Sequence, residues 1–272
     1  MPELPEVETS VQAIQEFNNQ KLQSIQVYNP NLRWKVDIAS LQKIKNQMVY
    51  KISRRAKYIL FNLEKSQLLL HLGMSGTIRI SQKNSNLYKK HDHIELVFKK
   101  EKIIFNDPRR FGYFKIINCL SELKEYFNNM GPEGISEDFN LNYFKKKIHN
   151  KTKNIKSLLL DQKFVSGIGN IYANEILFHS KVNPQKKAFQ VNSNEMKKLI
   201  KFSRHILQLA IQQGGSTIKN FKNAKGYSGS FQKKFKVYDR ENESCLRKSC
   251  NGKIIKKFIS NRSTFFCKLC QI

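Results

Sequence analysis

The residues best suited to chemistry in this chain stand at its two ends. Near the C-terminus, Cys245, Cys250, Cys267 and Cys270 are spaced C-x4-C-x16-C-x2-C, and the only other cysteine is Cys119. Four thiolates at that spacing suit a closed tetrahedral zinc site, which folds a small module and leaves no coordination position open for catalysis. Two disulfides are the alternative. They need an oxidising compartment, and MPELPEVETS has neither the basic start nor the apolar run of a secretory leader. At the other end, Met1-Pro2-Glu3 offers a different reagent. A small second residue favours removal of the initiator methionine, and an α-amino group titrates at about pH 8, well below lysine. The neutral secondary amine of Pro2 attacks an aldehydic carbon and forms an iminium directly, with Glu3 beside it to shuttle protons. The competing account is that Glu3, Glu6 and Glu8 simply complement the dipole of a first helix.

Two strand connections carry residues that a plain turn does not need. His71-Leu72-Gly73-Met74-Ser75-Gly76 places a methionine in a glycine-framed turn, and Asp107-Pro108-Arg109-Arg110-Phe111-Gly112 sets a phenylalanine beside two arginines. An apolar wedge next to arginine is what pushes between stacked bases and fills the gap left by an extruded nucleotide. Lys57, in RRAKY, opens a largely apolar strand and shares a face with Ile59 and Phe61, as an edge residue or as a desolvated amine. Ser166-Gly167-Ile168-Gly169-Asn170 precedes a helix and offers backbone amides to a phosphate, or merely caps that helix.

The elements that position these residues follow from periodicity. Val7, Val11, Ile14 and Phe17 predict a helix over residues 5–18, with Pro5 in its first turn. Apolar runs at Tyr58–Leu63, Gln67–Leu72, Thr77–Ile80, His93–Phe98, Lys102–Phe105 and Phe111–Ile117 predict an antiparallel sandwich or barrel. The strand texture stops near Met130-Gly131-Pro132-Glu133-Gly134, and helices follow, including Ile155–Leu160, Asn170–His179 and Asn194–Gln212. Ile254–Ile259 and Ser263–Phe266 then predict a hairpin with Asn261 and Arg262 at its turn. With 49 basic and 21 acidic side chains the net charge is +28, which points to a polyanionic partner such as nucleic acid. No apolar stretch reaches the length of a membrane span.

Seven segments together resemble the formamidopyrimidine-DNA glycosylases: MPELPEVET at 1–9, RRAKY at 54–58, HLGMSG at 71–76, HDH at 91–93, DPRRFG at 107–112, GIGNIYANE at 167–175 and the four-cysteine terminus. They occur in the family's order and span the chain. The resemblance implies a multidomain α+β protein of three parts. Residues 1–130 would form an N-terminal β-sandwich with its helix. Residues 131–235 would form a helix–two-turn–helix domain with a base-capping loop at 214–231. Residues 236–272 would form a β-hairpin zinc finger, with DNA lying across the cleft between the halves.

The resemblance also implies roles. Pro2 attacks C1′ of the damaged nucleoside, Glu3 serves as acid and base, Lys57 transfers protons in β-elimination, and Arg262 assists δ-elimination. Met74, Arg109 and Phe111 fill the void left by flipping, with Arg109 facing the orphan cytosine. His91, Lys151, Asn170 and Tyr238 contact the DNA backbone. One structural Zn2+, bound by Cys245, Cys250, Cys267 and Cys270, and no organic cofactor are implied. So is a cytoplasmic bacterial monomer whose partner is damaged double-stranded DNA and not a membrane.

Two departures from the family pattern are C-x4-C in place of the usual C-x2-C, and Ser228 where a proline is common. The nearest alternative resembles endonuclease VIII and removes oxidised pyrimidines; PELPE, Arg109 and Phe111 favour the purine branch. A non-catalytic basic zinc protein is the alternative of another class, and it has no use for Pro2, Lys57 or Met74.

Overall fold

Apolar side chains that recur at the helical period open the chain, and alternating ones build two antiparallel sheets behind them. A computed structural model of the protein describes residues 2–216 and 224–272. Helix α1 (Leu4–Ala13) starts with Glu3 as N-cap and Pro5 in the first turn, where a missing N–H costs no hydrogen bond. A 3-10 turn at Gln15–Phe17 carries the apolar stripe onward, so the helix expected over 5–18 is an α-helix followed by that turn.

The strands run β1 (Gln20–Lys21), β2 (Ser24–Val27), β3 (Met48–Arg55), β4 (Tyr58–Leu63), β5 (Gln67–His71), β6 (Thr77–Gln82), β7 (Asp92–Val97), β8 (Glu101–Asn106) and β9 (Tyr113–Ile117), with a short helix α2 (Ile38–Gln42) after β2. They form a sheet of order β1-β3-β4-β5-β9 and another of order β2-β7-β8-β6, every pair antiparallel.

Period two explains the core. Ile59 and Phe61 of β4 and Leu68 and Leu70 of β5 face α1 and the second sheet, in one cluster with Val7, Phe17, Ile94 and Phe105. Leu60 and Leu69 point the other way and are covered by Leu123, Tyr126 and Phe127 of α3 (Leu120–Asn128). Burial on both faces is why β4 and β5 read as unbroken apolar runs rather than alternating ones. Lys57 is not part of β4: Arg55 pairs with Tyr58, so Ala56 and Lys57 form the two-residue turn of the β3–β4 hairpin, with Ala56 at φ +53.

The chain divides into two compact units, Met1–Asn128 with Gln213–Ser230, and Asn129–Gln212 with Phe231–Ile272. The second contains α4 (Leu141–Ile148), α5 (Ile155–Leu160), α6 (Asn170–Ser180), α7 (Ser193–Gln212) and the hairpin β10 (Ile254–Ile259) with β11 (Arg262–Cys267). Helix α6 is buried nearly all round, as expected of a helix at the centre of its unit. The hairpin turn differs from expectation. Ile259 pairs with Arg262, so the turn is Ser260-Asn261, both left-handed at φ +50 and +58, and Arg262 is the first residue of β11. That is the backbone a twisted two-residue hairpin requires, and asparagine tolerates it.

Candidate functional site

Pro2 is buried, and Glu3, only 2% exposed, follows it as the N-cap. The Glu3 N–H donates to Glu6 Oε2 at 2.9 Å, so Glu6 closes the first turn as a capping box does. The other oxygen of Glu6 accepts from the Ser216 N–H at 2.7 Å and the Ser216 hydroxyl at 2.8 Å. One buried carboxylate thus ties the chain start to the root of the 214–231 segment. That root is drawn shut where Ser230 N–H donates to the Gln213 carbonyl at 3.0 Å, and Ala224 is pinned through its carbonyl to the Ile80 N–H at 2.9 Å. Residues 217–223 of the expected base-capping loop lie outside the described residues.

Helix α1 packs on β3 and β4 and is tied to β3 by Arg54 Nε donating to Glu8 Oε2 at 2.7 Å. The Lys57 turn at the end of those strands is only 7% exposed. Beside it, His71 pairs with Tyr58 across β4 and β5 and stacks on Tyr113. Its Nδ1 accepts from the Gly73 N–H at 3.0 Å, which puts the ring hydrogen of the neutral form on Nε2. Burial, then the charges of Lys57 and Arg33, lower its pKa from 6.5 to about 4.

Because the unfolded chain takes up a proton that folded His71 refuses, this residue's contribution to stability is complete above pH 6.5 and is lost as pH falls towards 4. Urea midpoints of the full protein should therefore decline over that window. The decline should be shallower in His71→Asn, which keeps an acceptor for Gly73 and titrates nowhere nearby; an unchanged slope would refute the assignment.

His71, Gly73, Met74, Arg109, Arg110 and Phe111 line a pocket of about 580 Å³, completed by Asn31, Leu32 and Arg33. Met74 is 41% and Phe111 38% exposed, and the Arg109 guanidinium lies 4.8 Å from the Phe111 ring centre. The wedge residues named from sequence therefore stand together. Gly73 has φ +67, and a Cβ there would meet the Phe111 carbonyl carbon at 2.3 Å, so only glycine lets the two loops touch. His91 is half-buried just before β7, with φ +74, and its carbonyl accepts from the Asp107 N–H at 3.0 Å.

In the second unit, helices hold the arginine hairpin through side chains. Lys156 of α5 is fully buried, and its Nζ donates to the Ser263 carbonyl at 2.8 Å and to Thr264 Oγ1 at 2.7 Å. Asn170 donates its amide to the same carbonyl at 3.0 Å, and Asn174 Oδ1 accepts from the Phe265 N–H at 2.8 Å. Arg262 itself is exposed. Asn170 is thus engaged by β11 on its nitrogen, a tie that the helix-capping expectation did not include.

Tyr238 stacks edge-on against Phe265, and its segment is held by buried Glu175, which accepts from the N–H groups of Lys236, Val237 and Tyr238 at 2.9, 3.0 and 2.9 Å. Burial raises the pKa of Glu175 against the lowering effect of those donors. Lys151 is exposed just after α4, whose last turn carries Lys145, Lys146 and Lys147. Glu6, His71, Asp107, Lys156 and Glu175, whose side chains hold these segments in place, were not singled out from the sequence. For His71, Lys156 and Glu175 a polar side chain within an apolar run was the one available signal, and Glu6 and Asp107 carry none.

The four cysteines form the remaining centre. Their sulfurs lie within 4.8 Å of one another, with Cys245 and Cys270 3.8 Å apart and Cys250 and Cys267 3.5 Å apart. A disulfide would need about 2.05 Å. Tetrahedral thiolate–metal bonds of about 2.3 Å set sulfurs about 3.8 Å apart, so this cluster fits a metal ion. Within the longer C-x4-C knuckle, Arg247 donates to the Phe178 carbonyl at 2.8 Å and lies over the Phe178 ring near the end of α6.

Residues 1–114 match the family described as formamidopyrimidine-DNA glycosylase N-terminal domain, and residues 130–222 match the formamidopyrimidine-DNA glycosylase H2TH domain. The chain is 40% identical to the formamidopyrimidine-DNA glycosylase of Histophilus somni (strain 2336), covering 100% of this chain and 99% of that one. It is 39% identical to that of Acinetobacter baumannii (strain SDF), over 100% and 97%. A Lactococcus lactis FPG variant in complex with Fapy-dG-containing DNA has a similar structure, at TM-score 0.92 and 34% identity over 99% of each chain. The wild-type L. lactis protein with DNA containing an oxidised pyrimidine is similar at TM-score 0.91, 34% identity and the same coverage.

Proposed function

The chain belongs to the formamidopyrimidine-DNA glycosylase family, and from there we propose that it removes oxidised purines, 8-oxoguanine and formamidopyrimidines, from duplex DNA and then cleaves the strand as an AP lyase. The observation that carries this reading is the presence, in one compact unit, of the Pro2-Glu3 terminus and the pocket walled by Met74, Arg109 and Phe111.

The wedge enters the stack and offsets the few kcal/mol that extruding a nucleotide costs. Arg109 faces the orphan cytosine, and His71 adds a neutral N–H donor to the same pocket. With Met1 removed, the Pro2 nitrogen attacks C1′ as the C1′–base bond breaks, and the base leaves with a proton. Glu3 supplies acid and base at the sugar, whose ring opens to leave an iminium on Pro2. That cation acidifies the C2′ proton. Lys57 moves it, and the 3′ phosphate departs in β-elimination. A second proton loss expels the 5′ phosphate in δ-elimination, assisted by Arg262.

His91, Lys151, Asn170 and Tyr238 grip the DNA backbone, in keeping with a net charge of +28. The metal held by the four thiolates is zinc, the ion whose four-coordinate preference suits four sulfurs, and its contribution is to fold the hairpin. The protein acts as a monomer in the bacterial cytoplasm, and no helix among the described residues is long and apolar enough to cross a membrane.

A lesion panel tests this reading. Borohydride trapping on duplexes with one 8-oxoguanine, one formamidopyrimidine or one oxidised pyrimidine should give the most adduct with the purine lesions. A preference for the pyrimidine would place the protein with the endonuclease VIII-like branch. Duplex binding without any adduct would leave only a zinc-stapled binding protein.

A further inference from the structure

Asp107 stands between the two loops that carry the wedge, and every polar atom it has is engaged. It is fully buried. Its Oδ1 accepts from the Ser75 hydroxyl at 2.5 Å and the Arg109 N–H at 3.3 Å, and its Oδ2 accepts from the Gly112 N–H at 2.7 Å. Its own N–H donates to the His91 carbonyl at 3.0 Å, and its carbonyl accepts from the Arg110 N–H at 3.2 Å and from His93 Nε2 at 2.8 Å. Ser75 closes the circuit, because its Oγ accepts from the Arg109 N–H at 3.1 Å. His93 reaches this position because the β7–β8 register shifts between Asp92 and Ile94, which makes His93 the extra residue of a bulge.

We infer that Asp107 is a positioning residue: its carboxylate clasps the Met74 loop to the Arg109–Phe111 loop, so that the wedge meets DNA as one preassembled body. This rests on the proposed role of Met74, Arg109 and Phe111 in opening the base stack. The physical case is that loops left to themselves are ordered only at an entropic cost, which would fall due at the moment of stack opening. A carboxylate is the group for the task, since it accepts from several donors at once and has none of its own to misplace. Asparagine has the same shape but turns one acceptor into an NH2 that meets an N–H or O–H head-on.

Opening a stack is required only in duplex DNA, and that separates positioning from general damage to the fold. Zinc-loaded full-length wild type, Asp107→Asn and Ser75→Ala should be compared by borohydride trapping at an abasic site in a duplex and in a single strand. A duplex with 2-aminopurine beside the lesion should be read by fluorescence in parallel. For Asp107→Asn the ratio of duplex to single-strand trapping rates should fall about ten- to a hundredfold, the loss typical of a broken hydrogen bond to a charged group. Ser75→Ala should show the same pattern more weakly, and the 2-aminopurine rise should shrink in step. An unchanged ratio overturns the inference, whether or not overall activity drops. If the wild type opens the stack yet traps nothing, the catalytic reading fails while the fluorescence arm still judges the clasp.

Discussion

Replacing Pro2 by glycine should leave a folded, metal-loaded protein that binds damaged duplex but forms at least about a hundredfold less borohydride-stable adduct. Proline at this position provides two things that glycine lacks. Its ring nitrogen is a secondary amine, so the iminium it forms has no N–H and cannot be neutralised by losing a proton. Its ring also fixes the backbone ahead of the Glu3 N-cap. Pro2 is buried where α1 begins, and that turn is held by Glu6, so the proposed nucleophile sits on a short rigid lever. A glycine amine would hang on the most flexible residue available, and the near-attack geometry that supplies much of the rate would be lost. Base release and strand cleavage should fall together, because in the proposed mechanism one covalent intermediate serves both. If the variant traps as well as the wild type, the proline ring is not needed, and either the glycine amine or buried Lys57 is the attacking group.

The second large effect is expected on removing the metal. Two strands of six residues make a hairpin that is marginal by itself. Lys156, Asn170 and Asn174 hold it with hydrogen bonds worth about 1 kcal/mol each net, somewhat more for the charged donor. A structural zinc contributes about 10–16 kcal/mol in isolated fingers, so the metal term dominates. Chelation, or Cys267→Ser, should lower the melting temperature of the transition belonging to the second unit and leave the sandwich transition in place. With the hairpin melted, Arg262 has no fixed position. Duplex affinity and the δ-elimination product should then fall by about tenfold or more, restored by one equivalent of zinc in the chelated protein but not in Cys267→Ser. Metal content, calorimetry and product analysis on one sample would decide it. Full activity in a verified metal-free protein would show that the clamp from α5 and α6 suffices.

Parts of this were legible beforehand because their causes are local. The limits of β4 and of α5 coincide with those of the apolar runs, since burial on both faces or on one helical stripe leaves a periodic trace. The cysteine cluster was legible from the spacing of four cysteines alone. Strand β3 was not, because its burial follows no simple alternation: a bulge between Val49 and Lys51 breaks period two, and its two exposed residues, Tyr50 and Lys51, are adjacent. The hairpin turn was displaced by one residue because Ser260-Asn261 and Asn261-Arg262 are similar turn candidates. Only the Ile259–Arg262 pairing chooses between them.

By itself, the sequence determined the chemical inventory: a proline in second place, two turns bearing Met74 and Arg109 to Phe111, four clustered cysteines and a large excess of basic side chains. Each is a matter of residue type at short spacing, and short spacing survives without a fold. The tertiary structure alone decided what holds those groups in place. Lys156 and Thr264 lie 108 residues apart, and Glu6 and Ser216 lie 210 apart. A hydrogen bond between such positions leaves no mark on the periodicity of either segment. A buried lysine or carboxylate is stable only where the fold brings its partners within about 3 Å, so its role exists only once the chain has closed around it.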